Sequence, residues 1–293
     1  MMKRKISIVD TTLRDGQQTP GLTFSLKMKE SLAMQLDRSG VSKIELFSPN
    51  MSSFEAETLK VVGAIIKNAQ LVVWNRLMLK DIEATLNVFK GIVHICFPIT
   101  DRQLHQKLKL NLLKACLILK KGALLIKESG SQVSIGLEDV SRAEKTRLDW
   151  VMDYLEGIGV KYVRLSDTVG VLTPGRTLLL VELFKTRGFT VEFHAHNDLG
   201  LANANSLIAA QYGADYVDTT LAGIGERAGN ASLYGFVQMA ESSPFLSLDI
   251  NSQQAMSLEE EYRPYFVREE FLKSLVSSKA SDITFLGDSC QTM

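Results

Sequence analysis

"VEFHAHNDLG", Val191 to Gly200, places two of the chain's four histidines two residues apart. Two is the side-chain period of a β-strand, so His194 and His196 point to the same face. Val191 and Phe193 read as strand, and Asn197-Asp198-Leu199-Gly200 as a loop leading into a helix. The pair therefore stands at the C-terminal end of a strand, in a strand–loop–helix unit. Two hydrogen-bonded histidines closing a strand would fit this fragment, and so would two ligands to one ion. The surrounding chain has to decide.

The unit recurs. β-Branched runs appear as "ISIVD" at Ile6, "KIELF" at Lys43, "LVVWN" at Leu71, "IVHICF" at Ile92, "QVSIGL" at Gln132, "KYVRL" at Lys161, "TVEFHA" at Thr190 and "DYVDTT" at Asp215. Segments such as "SLKMKESLAMQLDRSG" and "SRAEKTRLDWVMDYLEGIG" lie between them, apolar at helical spacing with a glycine near the end. The junctions "SGVSKIEL", "IGVKYVRL" and "YGADYVDT" are similar to one another, a weak internal repeat. Eight such units across about 240 residues predict a (β/α)8 TIM barrel over 1–242. An open doubly wound sheet is the competing arrangement. From Ser243 the pattern changes, and "SLEEEYRPYFVREEFLKSLVSSKAS" predicts a short, charged helical extension over 243–293.

Composition narrows the class. Lys+Arg and Asp+Glu balance at 33 each, so no bulk charge recruits nucleic acid or an acidic membrane surface. The hydrophobic share of 45% is ample for a core, yet no apolar run is long enough to span a bilayer. Cys96, Cys116 and Cys290 form no paired framework, which suits a reducing compartment. "MMKRKISIVDTT" is basic but leads into no apolar stretch of the kind that follows in a signal peptide. These features predict a cytoplasmic protein with no membrane or nucleic-acid partner.

In a barrel the chemistry gathers where the strands end. Those positions carry "DTTLRDGQQTPG" after the first strand, "SIGLEDVSR" after the fifth and "LSDTVG" after the sixth. "HAHND" follows the seventh and "LAGIGERAGN" the eighth. Two imidazoles and a first-loop carboxylate would give a metal three protein ligands and leave positions open for substrate. The glycine loop lacks the G-x-G-x-x-G spacing of a nucleotide cradle and reads as a tight turn on the rim.

"DTTLRDGQQTPG", "HAHNDLGLANANSLIAA" and "GIGERAGN" together resemble the metal-dependent acyl-transfer barrels of the isopropylmalate, homocitrate and citramalate synthases, with hydroxymethylglutaryl-CoA lyase as a cousin. The likeness runs from about Ile6 to Ala240. "VHICFPITDRQLHQKL" and "VSIGLEDVSR" are most similar to homocitrate synthases of the nitrogen-fixation type. The resemblance implies that Asp15, His194 and His196 bind one divalent cation (Zn, Mn or Mg), with Asn230 as a weaker ligand. Arg14 would stabilise the developing alkoxide. Gln18 and Thr168 would hold the oxo-acid's carboxylate, Arg76 a distal carboxylate, and Glu138 would be the catalytic glutamate. Plainer readings stand beside these: an Arg14–Asp15 ion pair, Asp15 as a helix cap, a solvated Arg76, and Glu138 as a helix-start acid.

The implied reaction condenses acetyl-CoA with a 2-oxo acid, 2-oxoglutarate first, in a homodimer. Isopropylmalate or citramalate synthesis, a carbon–carbon lyase, and an oxo-acid-binding barrel without catalysis remain alternatives. An iron oxygenase shares the ligand set but not the α/β pattern. Two departures matter. Gln17 stands where these synthases commonly carry glutamate. No histidine follows His196, although related synthases take a catalytic one from a C-terminal lid that often reaches into a partner subunit. Tyr262 and Tyr265 are the lid-region groups on offer, and tyrosine is a poor base at neutral pH.

Overall fold

A computed structural model describes residues 3–266. Its centre is a closed barrel of eight parallel strands in sequential order. They are β1 (Ser7–Asp10), β2 (Lys43–Phe47), β3 (Gln70–Asn75), β4 (Ile92–Pro98), β5 (Gln132–Glu138), β6 (Tyr162–Asp167), β7 (Thr190–Ala195) and β8 (Tyr216–Thr219). β8 pairs with β1 to close the ring. The (β/α)8 expectation holds, and the open sheet is ruled out.

The helices are α1 (Leu26–Ser39), α2 (Ser53–Ile65), α3 (Leu79–Leu86), α4 (Leu112–Glu128), α5 (Lys145–Gly157), α6 (Pro174–Thr186), α7 (Ala202–Gln211) and α8 (Leu233–Glu241). Their ends follow the local chemistry. Ser25 caps α1 by accepting from the Met28 amide, Asn111 caps α4 through the Lys114 amide, and Pro174 opens α6. Gly40 ends α1 in the left-handed region at φ 96°, and a Cβ there would lie 2.6 Å from the Asp249 carbonyl oxygen.

Outward-facing strand residues pack under the helices, and Phe97, Phe184, Phe189, Phe193 and Phe236 are fully buried. Burial of each such side chain stabilises the fold by roughly 1.5–3 kcal/mol. Every residue of β2, β4 and β6 is buried, as expected for strands covered on both faces.

Two elements went unseen in the sequence. Arg4–Lys5 pairs in parallel with Leu246–Ser247 in a two-residue ladder, too short to give a periodic signal. The chain after β4 runs through a π-helical turn, Leu104–Leu108, and Lys109 leaves it at φ 56°. Of the predicted extension, α9 (Ser252–Phe266) packs against α8 and α1, while 267–293, with Cys290, lie outside the described residues. No helix among the described residues is long and apolar enough to cross a membrane.

Candidate metal centre at the barrel rim

The two-residue spacing in β7 does what the sequence implied. His194 and His196 come together with Asp15, and one ligand atom from each lies within 4.8 Å of the others. All three are buried. Asp15 arrives on the turn after β1, and the glycine loop after β8 brings Asn230 over it. Asn230 Nδ2 donates to Asp15 Oδ1 at 2.9 Å, and the backbone of Asn230 forms an antiparallel bridge with His196. Gly225 makes this approach possible, because a Cβ there would sit 2.1 Å from Asn230 Nδ2. The "GIGERAGN" segment is thus a tight rim turn at the centre, as its spacing suggested.

The donor set fits a divalent cation. His196 Nδ1 and Asn230 Oδ1 are buried with no hydrogen-bond partner, the kind of orphan that an ion satisfies. Burial and the neighbouring His194 push His196 down to about 4, so its imidazole is neutral near pH 7 and free to ligate. Burial works against ionisation of Asp15, but Arg14 and the two histidines hold its carboxyl well below the usual range. His194 is the opposite case. Burial would lower it, yet hydrogen bonds to Asp15 and Asp218 outweigh that and carry it to about 9, so a cation entering here displaces a proton.

Arg14 is fixed by two carboxylates, with Nη1 2.6 Å from Asp15 Oδ2 and Nε 2.6 Å from Glu45 Oε2. It is therefore an ion pair with Asp15, as the plainer reading had it, and also a buried cation beside the candidate centre. Asp15 precedes the short turn Gly16–Gln18 but makes no side-chain cap bond, so the helix-cap reading fails.

Glu138, at the end of β5, is buried. Its Oε1 accepts from Lys107 at 2.7 Å, while Oε2 is buried without a partner. Lys107 comes from the π-helical turn, a type of irregularity frequent at functional sites. Thr168 is half-buried on the rim, with its hydroxyl oxygen accepting from the Asp139 amide at 2.8 Å. Gln18 is exposed. Arg76 is partly exposed but not free: Nε and Nη2 clasp Asp81 of α3 at 2.6 and 3.0 Å. A distal carboxylate could reach it only in competition with Asp81. Gln17 donates to Glu55 at 3.1 Å, and Glu55 also accepts from the buried Lys29 at 2.9 Å. A glutamate at position 17 would set two carboxylates against each other there, so the amide suits this neighbourhood.

Tyr262 is packed away from the centre, its hydroxyl 3.0 Å from Ser31 Oγ on α1, and burial raises it further from use as a base. Tyr265 is 59% exposed.

Beneath the rim the barrel interior is charged where most barrels are branched and apolar. Arg164 of β6 is 1% exposed and binds Glu45 of β2, Glu192 of β7 and Asp218 of β8. Lys43 sits below, 3.3 Å from the centroid of the Tyr216 ring and hydrogen-bonded to Tyr162. These residues alternate along their strands with the core: Lys43 and Glu45, Tyr162 and Arg164, Glu192 and His194, Tyr216 and Asp218. The same two-residue spacing that marked the histidines was therefore present on four strands. Removing the hub would strand three buried carboxylates. Arg164→Met is expected to cost roughly 3–5 kcal/mol of stability, read as a drop in the urea midpoint. An unchanged midpoint would mean the network is solvated rather than buried.

Comparison with known proteins places the chain in a family. The HMGL-like family model matches residues 5–261. A protein named homocitrate synthase subunit alpha from Clostridium pasteurianum is 35% identical over 237 residues, covering 80% of this chain and 88% of that one. Homocitrate synthase 1 of a Nostoc species is 35% identical over 264 residues, covering 87% of this chain and 68% of its own length. A 2-isopropylmalate synthase of Caldanaerobacter subterraneus is 33% identical over 258 residues, covering 88% and 67%. Among solved structures, hydroxymethylglutaryl-CoA lyase from Pseudomonas aeruginosa superposes with a TM-score of 0.80 at 18% identity, covering 94% of this chain and 99% of that one, a likeness of fold. With a family match over nearly its whole described length and synthases among its relatives, this chain belongs to the HMGL-like family.

Proposed function

We propose that the chain is the barrel component of an acyltransferase that condenses acetyl-CoA with a 2-oxo acid, 2-oxoglutarate first, giving homocitrate. The observation that carries the reading is the convergence of Asp15, His194 and His196, with the fixed cation of Arg14 alongside. Two imidazoles and one carboxylate suit zinc or manganese better than magnesium, which prefers an all-oxygen shell. When bound, the ion would act as a Lewis acid on the 2-oxo carbonyl. Asp15, His194 and His196 would hold it, with Asn230 as a further oxygen donor.

The chain's own residues supply the rest. Arg14, held from two sides, keeps positive charge where the attacked carbonyl oxygen turns into an alkoxide, and its orientation costs nothing at the moment of reaction. Thr168 and Gln18 would hold the 2-oxo acid's carboxylate. Glu138, with one oxygen tied to Lys107 and the other free, would orient the acetyl thioester or the proton leaving its methyl carbon. Thioester hydrolysis after condensation would release CoA and make the sequence irreversible.

Homocitrate synthases recur among the relatives at 35–39% identity, which favours the dicarboxylic substrate over the branched one. Arg76 would serve the distal carboxylate by exchanging its Asp81 partner. No histidine follows His196, so a second copy of this sequence could not supply a lid histidine, and a different, histidine-bearing chain would have to complete the site. The Clostridium relative is itself named as a subunit.

Thiol release from acetyl-CoA, measured with added lid-bearing partner and a panel of 2-oxoglutarate, 2-oxoisovalerate, pyruvate and oxaloacetate, tests the substrate. The expected result is fastest release with 2-oxoglutarate. Release with 2-oxoisovalerate alone would replace this reading by isopropylmalate synthesis, and cleavage of a CoA ester without oxo acid would replace it by a lyase.

A further inference from the structure

Asp218 lies on β8 beneath the candidate centre, and no part of the proposed chemistry uses it. Its Oδ2 is 2.9 Å from His194 Nδ1 and 3.0 Å from Arg164 Nε. The carboxylate is 2% exposed, and among the described residues this imidazole and this guanidinium are the basic groups paired with it. Burial raises Asp218 to about 7, but the Arg164 guanidinium against it favours the ionised form, which only accepts, so His194 presents its Nδ1–H to it. Nε2 faces Asp15 Oδ2 at 3.5 Å, and once an entering cation displaces the proton there, the lone pair is left on Nε2 with Nδ1–H still held by Asp218.

His196 has no such support. Its Nδ1 is without a partner, and its Nε2 lies 3.7 Å from Glu226, a residue of the exposed rim. The two histidines, alike in sequence, are therefore unequal in the fold: one is aimed from behind by a buried carboxylate, the other is not.

We propose that Asp218 is a positioning residue that fixes the tautomer and ring orientation of His194, so that Nε2 is the atom offered to the cation, and that Arg164 holds Asp218 in place for this task. The inference rests on the metal reading of Asp15, His194 and His196. It makes His194 the preorganised ligand and His196 the adaptable one. A hydrogen-bonded carboxylate behind a ligating histidine is worth roughly 10–100-fold in metal affinity.

The test is Mn(II) binding to the whole protein by calorimetry and electron paramagnetic resonance, with nitrogen-15 NMR reporting the His194 tautomer. Asp218→Asn keeps the size but allows an amide N–H to face Nδ1, which favours the opposite tautomer. Glu192→Gln is the control, since it alters the same Arg164 hub without touching His194. The expected result is Mn(II) affinity weakened roughly 10–100-fold in Asp218→Asn with the tautomer signal changed, and affinity close to wild type in Glu192→Gln. Asp218→Asn with wild-type affinity and tautomer would overturn the proposal, as would equal losses in both variants, which would mean a general loosening of the barrel interior. Failure of the parent reading looks different: the wild-type protein itself would bind no Mn(II).

Discussion

Purified protein carries about one divalent ion per chain, and His196→Ala and His194→Ala each lose it: this is the result expected from elemental analysis after gel filtration. The reasoning is that three protein donors are the usual minimum for a site that also leaves room for substrate, so one deletion leaves too few. His196 is neutral near pH 7 and so gives up no proton on ligating, and its Nδ1 has no protein partner to lose. His194 is expected to be the more damaging deletion, because the cavity it leaves also frees Asp218 and Asp15 as facing carboxylates. Full metal retention in both variants would sink the centre, and the histidines would then be hydrogen-bonded strand-end residues.

Much of this was legible in the chain because period two and strand ends are strong signals. The eight β-branched runs, the glycine-closed helices and the recurring junctions specified a barrel, and the barrel in turn specified which loops share a rim. His194 and His196 declared themselves by spacing alone. The charged interior did not. Glu45, Arg164 and Glu192 each have apolar residues on both sides in their strands, Asp218 has one on one side, and a charge alternating with apolar residues reads as a solvent-facing position. What reverses that reading is closure of the barrel, which turns four separated strands into one set of facing charges. Arg76 failed in a related way: its place at the end of β3 was visible, but its partner Asp81 belongs to the next helix, and sequence proximity does not say which side the guanidinium turns. Tyr262 is the same lesson from the C-terminal side, since only packing of α9 on α1 shows that its hydroxyl faces Ser31.

The isolated chain is expected to bind 2-oxoglutarate in a metal-dependent way yet condense acetyl-CoA weakly or not at all. Binding draws on Asp15, His194, His196 and Arg14, which are assembled without help from any other chain. Condensation needs one thing more, a group that removes a proton from a methyl carbon of very low acidity. No histidine follows His196 in the sequence, and the candidates within the described residues are poorly suited. Glu138 has one oxygen tied to Lys107, and Tyr262 is buried against α1 with its pKa raised. General-base catalysis contributes roughly a hundred- to ten-thousand-fold, so its absence should appear in kcat while leaving oxo-acid affinity intact. Calorimetry with 2-oxoglutarate, alone and after metal removal, measures the first half. Thiol release before and after grafting a histidine-bearing lid, or mixing with a homologue that donates one, measures the second. A rise of roughly a hundredfold or more on supplying the lid would identify the missing base as the limit on rate. Robust turnover by the chain alone, abolished in Glu138→Gln, would place that base on β5 and remove the need for a second chain.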